Sequence, residues 1–168
     1  TFLLGGSICT RSCAFCQVEK GKSPEKVNIF EAEKVANAVQ VLNLKYVVLT
    51  AVARDDLPDH GASLFTTTMD AIRSLNPGIA IEVLTPDFWG GNNKNNNEKQ
   101  EERLKLVLSA GPVCFNHNLE TVRRLQREVR RGATYEHSLN LLKAARQIAP
   151  NIPTKSGIML GLGEKFHE

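Results

Sequence analysis

The chain has 168 residues, 42% of them hydrophobic and 23% charged, with a formal net charge of +3. That size accommodates one globular domain with a substantial core and excludes a disulfide-stapled miniature, and the mild charge gives no footing for a nucleic-acid partner. No apolar run approaches the roughly 18 residues of a membrane span and no signal-peptide pattern opens the chain, so a soluble protein with no membrane role is expected.

The apolar run at 2–4, with its flanks, is the first predicted strand. ICTRSCAFCQ follows at 8–17 and holds Cys9, Cys13 and Cys16, three of the four cysteines. Three thiols gathered in one loop differ from a disulfide framework and point to ligands in a reducing, intracellular compartment, the cytoplasm or an organelle matrix or stroma. A structural zinc site asks for four ligands, and no second pair or nearby histidine completes this one. Three thiolates suit a cubane [4Fe-4S] cluster with one iron left open.

Asn28 with Glu31 three residues later reads as a capping pair for a helix that places Val35, Ala38, Val39 and Leu42 on one face. A second strand spans 46–52 and leads into the polar loop ARDDLPDHG. Leu64, Phe65, Met69 and Ile72 mark the next helix, stopped by Asn76, Pro77 and Gly78, and the third strand is 79–85. The Asn-rich segment 89–102 lacks periodicity and is expected as a surface insertion, with a third helix only from about Glu101 to Ser109. A fourth strand at 112–115 contains Cys114, read as a small apolar side chain. Thr134 opens a fourth helix carrying Leu139, Leu142, Ala145 and Ile148, and a fifth strand occupies 154–160. Strand and helix alternating in this way give an α/β fold around a parallel sheet, barrel-like or doubly wound. Such folds keep their active sites at the C-terminal ends of the strands, where the cysteines fall.

CTRSCAFC resembles the CxxxCxxC signature of radical S-adenosylmethionine (SAM) enzymes. Six stretches in order resemble the lipoyl synthases: 1–16, 44–59, 81–88, 115–122, 129–139 and 152–164. The resemblance implies a partial (β/α)6 TIM-like barrel of the radical SAM type, with about five of six strands present and residues 1–168 forming one core domain incomplete at both ends. It implies a cluster on Cys9, Cys13 and Cys16 whose open iron takes S-adenosylmethionine. Reductive cleavage of that molecule then allows hydrogen removal at C6 and C8 of an octanoyl group carried on a lipoyl carrier domain, and sulfur insertion at both carbons. The implied partners are an octanoylated carrier, from a 2-oxoacid dehydrogenase E2 or the glycine cleavage H protein, and a ferredoxin- or flavodoxin-type electron donor. The sulfur donor in that family, a second auxiliary [4Fe-4S] cluster, rests on cysteines preceding this region and a serine following it, neither within these 168 residues.

The same resemblance assigns the Phe15 backbone to the adenine, and Gly157, Met159, Gly161 and Glu164 to the adenine pocket through the pattern GxIxGxxE. Glycines there also suit an ordinary strand-to-loop turn. Asn118 and Glu120 resemble ribose-binding residues; capping of a short helix near Thr121 is the alternative. Lys155 is expected at the mouth, beside the methionine carboxylate, or as an ordinary solvated lysine at a strand end. Arg54, Asp55 and Asp56 either meet the methionine amino group or pair among themselves, and Ala53 and His60 depart from the family pattern. His117 is expected to be packed and hydrogen-bonded. Arg123, Arg127 and Arg130 or Arg131 recur at helical spacing, a solvated basic face or a dock for an acidic carrier. An apolar final strand at the sheet edge predicts self-association. The rival readings are a biotin-synthase-like radical enzyme, a non-catalytic iron-sulfur or SAM-binding remnant, and a zinc protein.

Overall fold

A computed structural model describes residues 1–22, 26–89 and 96–168. In chain order it contains β1 (Phe2–Leu4), β2 (Ile8–Cys9), β3 (Glu19–Lys20), α1 (Glu31–Val41), β4 (Tyr46–Ala51), α2 (Ala62–Leu75), β5 (Ala80–Leu84), α3 (Asn96–Ser109) and β6 (Cys114–Asn116). A 3-10 turn at Arg123–Leu125, the short α4 (Gln126–Val129), α5 (Tyr135–Ile148) and β7 (Thr154–Lys155) complete it.

Five strands pair in the order β1-β4-β5-β6-β7, every pair parallel. Neighbours in sequence are neighbours in space, with a helical crossover at each step, which is how a (β/α) barrel is wound. The sheet stops at five strands with β1 and β7 as edges, so the partial barrel read from the sequence is present. Val47, Leu49, Ile81, Val83 and Phe115 turn one way and are buried against the helices, as the period of two requires. α1 packs on α2, α2 on α3 and α3 on α5, closing that face.

The α2 face is as expected, with Leu64, Phe65, Met69 and Ile72 all in the core. In α1, Val35, Ala36 and Val39 are buried but Leu42 points to solvent at 61% exposure, because the helix ends at Val41. The capping pair is not formed. The Asn28 side-chain oxygen accepts from the Phe30 N–H, and Glu31 instead accepts from the Gly5 N–H at 3.0 Å, tying α1 to the end of β1. Thr134 does cap α5, accepting from the His137 N–H at 3.2 Å. The buried stripe of α5 is Ser138, Leu141 and Ala145 rather than one centred on Leu139.

Of the polar segment 89–102, residues 90–95 lie outside the described residues, and 96–102 already belong to α3. That helix starts earlier than its apolar periodicity shows because it buries polar groups: Gln100 donates to the Asp87 carbonyl at 2.5 Å and Arg103 to the Phe88 carbonyl at 2.8 Å. The last strand is also shorter than expected. Only Thr154 and Lys155 pair with β6, so the edge is short and polar, while Ile158 and Leu160 lie exposed beyond it. Among the described residues no helix is long and apolar enough to cross a membrane.

Candidate functional site

The C-terminal ends of the strands surround a cavity of about 250 Å³. Its wall draws on the cysteine loop through Cys9, Cys13, Phe15 and Cys16, on the segments after β4 and β5 through Ala53 and Asp87, and on the segment after β6 through Asn118 and Glu120. Arg130, after α4, closes one side.

Cys9 lies in β2, which pairs with β3 in a two-residue parallel ladder that brackets the loop. The ladder is too short to leave a periodic signal in the sequence. All three loop thiols are free and half-buried. Burial pushes the Cys13 thiol up; Arg130 pulls it back, and Cys9, Cys16 and Glu120 push it up again. Among the described residues no three thiol, imidazole or carboxylate groups are drawn close enough to hold a single metal ion. A cubane asks for something else, since each thiolate takes a different iron and the sulfurs stand around a shared space. Three unpaired thiols on one cavity wall therefore fit a cluster with three protein ligands, and do not fit closed four-ligand zinc.

Glu120 adopts φ 65°, the left-handed region that a non-glycine residue rarely enters. Its N–H donates to the Gly157 carbonyl at 3.0 Å and its carbonyl accepts from Met159 N–H at 2.8 Å, so backbone pairing holds the strained residue and turns its carboxylate to the cavity. Burial pushes that carboxyl up, opposed by a hydrogen bond from Asn118 and by Arg130. The capping alternative for Asn118 and Glu120 fails: the 3-10 turn is preceded by Val122 and has no side-chain cap. Gly157 lies flat against Asn118, where an added Cβ would meet Asn118 Oδ1 at 3.0 Å. Gly157 and Met159 thus shape the wall from behind. Gly161 and Leu162 donate their N–H groups to the Glu164 carboxylate, forming a turn outside the cavity.

Lys155 does not reach the mouth. Its ammonium donates to Glu82 Oε1 at 2.9 Å, in a cluster where Tyr46 and Asn116 also donate to Glu82, at 2.6 and 3.0 Å. Arg54 is buried, paired with Asp56 at 2.8 Å and donating to the Gly5 carbonyl, so these two pair with each other. Asp55 turns instead to the cysteine loop. Burial works against its charge, yet His60, Arg11 and Thr10 hold its carboxyl well below the usual range.

His117 is buried as expected. Thr85 offers its ring only a carbonyl, 2.8 Å from Nδ1, and Arg130 only donors, 3.0 Å from Nε2, which Ser138 Oγ also approaches at 2.9 Å, so Nδ1 carries the proton and Nε2 is the acceptor. Burial and then Arg130 lower its pKa to about 4, keeping the ring neutral. Arg130 therefore leaves the basic face drawn from helical spacing: it is 7% exposed, donates to Ser138 Oγ at 2.6 Å, and has no ion pair among the described residues. Arg123 is paired with Glu136 and lies over the Tyr135 ring. Asp87 Oδ2 is buried, borders the cavity and has no hydrogen-bond partner among the described residues. A guanidinium held by neutral partners with no ion pair among the described residues, and a carboxylate with one oxygen lacking a partner among them, thus border one space, a pairing no local sequence pattern announces.

The sequence profile of the radical SAM superfamily matches residues 3–168. The chain belongs to the radical SAM superfamily. It is 71% identical over its whole length to "Lipoyl synthase 2" of Parasynechococcus marenigrum (strain WH8102), covering 57% of that protein. It is 50% identical to "Lipoyl synthase" of Glaesserella parasuis serovar 5 (strain SH0165), again over the whole chain and covering 50% of that protein. The chain spans about half the length of the curated relatives it matches. In fold it is similar to the crystal structure of methylornithine synthase, with TM-score 0.68 and 16% identity, covering 98% of this chain and 46% of the other.

Proposed function

We propose that this radical SAM chain forms the cluster- and SAM-binding core of a lipoyl synthase, acting in a reducing compartment. One observation carries the reading: Cys9, Cys13 and Cys16 share a single cavity wall with Asn118 and Glu120 at the C-terminal ends of parallel strands. The 50–71% identity to proteins named lipoyl synthase supports the specific reaction over a biotin-synthase-like one.

Cys9, Cys13 and Cys16 would hold a [4Fe-4S] cluster, leaving one iron for S-adenosylmethionine. When bound, the cluster supplies the electron that cleaves that molecule's sulfonium. The chain's own residues bind and orient. Glu120, raised in pKa by burial and braced by Asn118, accepts hydrogen bonds from a ribose diol. Arg130 offers its charge to a carboxylate, and the free oxygen of Asp87 accepts from an ammonium group, the two ends of an amino acid. Gly157 and Met159 support the strained Glu120 backbone, and neutral His117 holds Arg130. On this reading an octanoyl chain on a lipoyl carrier domain would lose hydrogens at C6 and C8 and gain two sulfurs, an auxiliary cluster would supply the sulfur, and a ferredoxin- or flavodoxin-type protein would donate the electrons.

Anaerobic reconstitution with iron and sulfide, followed by dithionite and S-adenosylmethionine, tests this. Brown protein that forms 5'-deoxyadenosine is expected. Brown protein forming none is the result for a non-catalytic carrier, and colourless metal-bound protein the result for zinc; either contradicts the proposal.

A further inference from the structure

One polar side chain within the cysteine loop, Arg11, ties it to three separate segments. Arg11 lies between Cys9 and Cys13, and its backbone N–H donates to Cys9 Sγ at 3.4 Å. Its Nε and Nη2 donate to the two oxygens of Asp55 at 2.5 and 2.8 Å, a fork on a carboxylate. Nη2 also reaches Asp87 Oδ1 at 3.2 Å and the Trp89 carbonyl at 2.9 Å, and Nη1 donates to the Gly132 carbonyl. One guanidinium therefore joins the loop to the segments after β4, after β5 and before α5. The close approach is built into the backbone: Gly132 has φ 86°, and a Cβ there would stand 3.1 Å from Arg11 Cδ. Thr10 reinforces the same anchor, with Oγ1 2.7 Å from Asp55 Oδ2 and accepting from the Asp55 N–H at 3.1 Å.

We propose that Arg11 is a positioning residue that fixes the cysteine loop in its ligand-presenting shape before any metal arrives, with Asp55 as its anchor. This rests on the reading of Cys9, Cys13 and Cys16 as cluster ligands and adds to it how they are held. Ordering the loop during folding removes that entropic cost from cluster uptake. The planar fork is required, since a lysine ammonium keeps the charge but cannot span both Asp55 oxygens and the two carbonyls together.

Cys114, on β6 and away from the loop, supplies an internal reference. The full chain is prepared metal-free and anaerobic, and alkylation of each cysteine by iodoacetamide is followed by peptide mass spectrometry in wild type, Arg11→Lys, Asp55→Asn and the double variant. Loss of a charge-assisted clamp predicts about tenfold faster reaction at Cys9, Cys13 and Cys16 in each single variant, with Cys114 unchanged. The double variant is accelerated by less than the product of the two single effects, because the two share the Arg11–Asp55 contact while each also loses contacts of its own. After reconstitution, R11K shows an altered EPR spectrum of the reduced cluster despite its retained charge. Unchanged loop rates, acceleration at all four cysteines, or an R11K spectrum identical to wild type would each overturn the proposal. Failure of the cluster reading itself looks different: wild-type chain that takes up no cluster while the alkylation pattern stands.

Discussion

The sheet-and-helix core and the cysteine loop are held by opposite means. Between the sheet and its helices Leu4, Leu49, Phe65, Met69, Ile72 and Phe115 are fully buried, and Phe65 meets Phe88 edge-on at 6.3 Å. The cysteine loop has half-buried thiols, a two-residue ladder and the contacts of Thr10 and Arg11. Apolar packing is non-directional and sums over area, so it sets stability; polar contacts are directional, so they set where three sulfurs stand. The two regions should respond to mutation independently.

The largest effect tests the core. Phe65→Ala removes a fully buried ring and should cost roughly 3–5 kcal/mol, read as a lower denaturant midpoint. Cluster uptake by whatever fraction stays folded should be unimpaired. Next comes acid, acting at the joint between the regions. The pKa of His117 falls from 6.5 to about 4 on folding, so between those values the unfolded chain binds the extra proton. The stability from a neutral His117 is present above pH 6.5 and is lost as pH falls towards 4, by about 3 kcal/mol. The difference between wild-type and His117→Gln stability profiles measures it; parallel profiles across that range would show that His117 contributes no such loss.

A smaller effect is expected where the two regions meet at Gly5. Glu31→Gln weakens the acceptor for the Gly5 N–H and should cost about 1 kcal/mol by thermal or chemical unfolding. Smallest in stability, and largest in chemistry, is Cys13→Ala. It should change unfolding by no more than about 0.5 kcal/mol while abolishing the visible absorption of reconstituted protein. A destabilisation comparable to that of Phe65→Ala would erase the distinction between core and loop.

The same division separates what was legible in the sequence from what was not. The five strands, the buried face of α2 and the Thr134 cap follow from local patterns, because β-branched runs, helical spacing and caps act over a few residues. CxxxCxxC is equally local. Leu42 and Leu139 misled because periodicity assumes an uninterrupted helix with its stripe centred on them, and α1 ends before Leu42 while α5 buries Ser138 and Leu141 instead. Arg11, Asp87 and Arg130 escaped for a different reason. Arg11 bonds groups 44, 76 and 121 positions away, and no window of sequence records such contacts. The reassignment of Lys155 from mouth to Glu82 has the same origin, 73 positions apart.

In the function proposed for this chain, the loop thiols and the cavity beside them present a cluster with one iron open to S-adenosylmethionine. Mössbauer spectroscopy of ⁵⁷Fe-reconstituted, oxygen-free protein, with and without that molecule, tests it most directly. One iron of the four is expected to become distinct when S-adenosylmethionine is added, and Cys9→Ala to abolish the change. Four irons that stay equivalent on addition would contradict it.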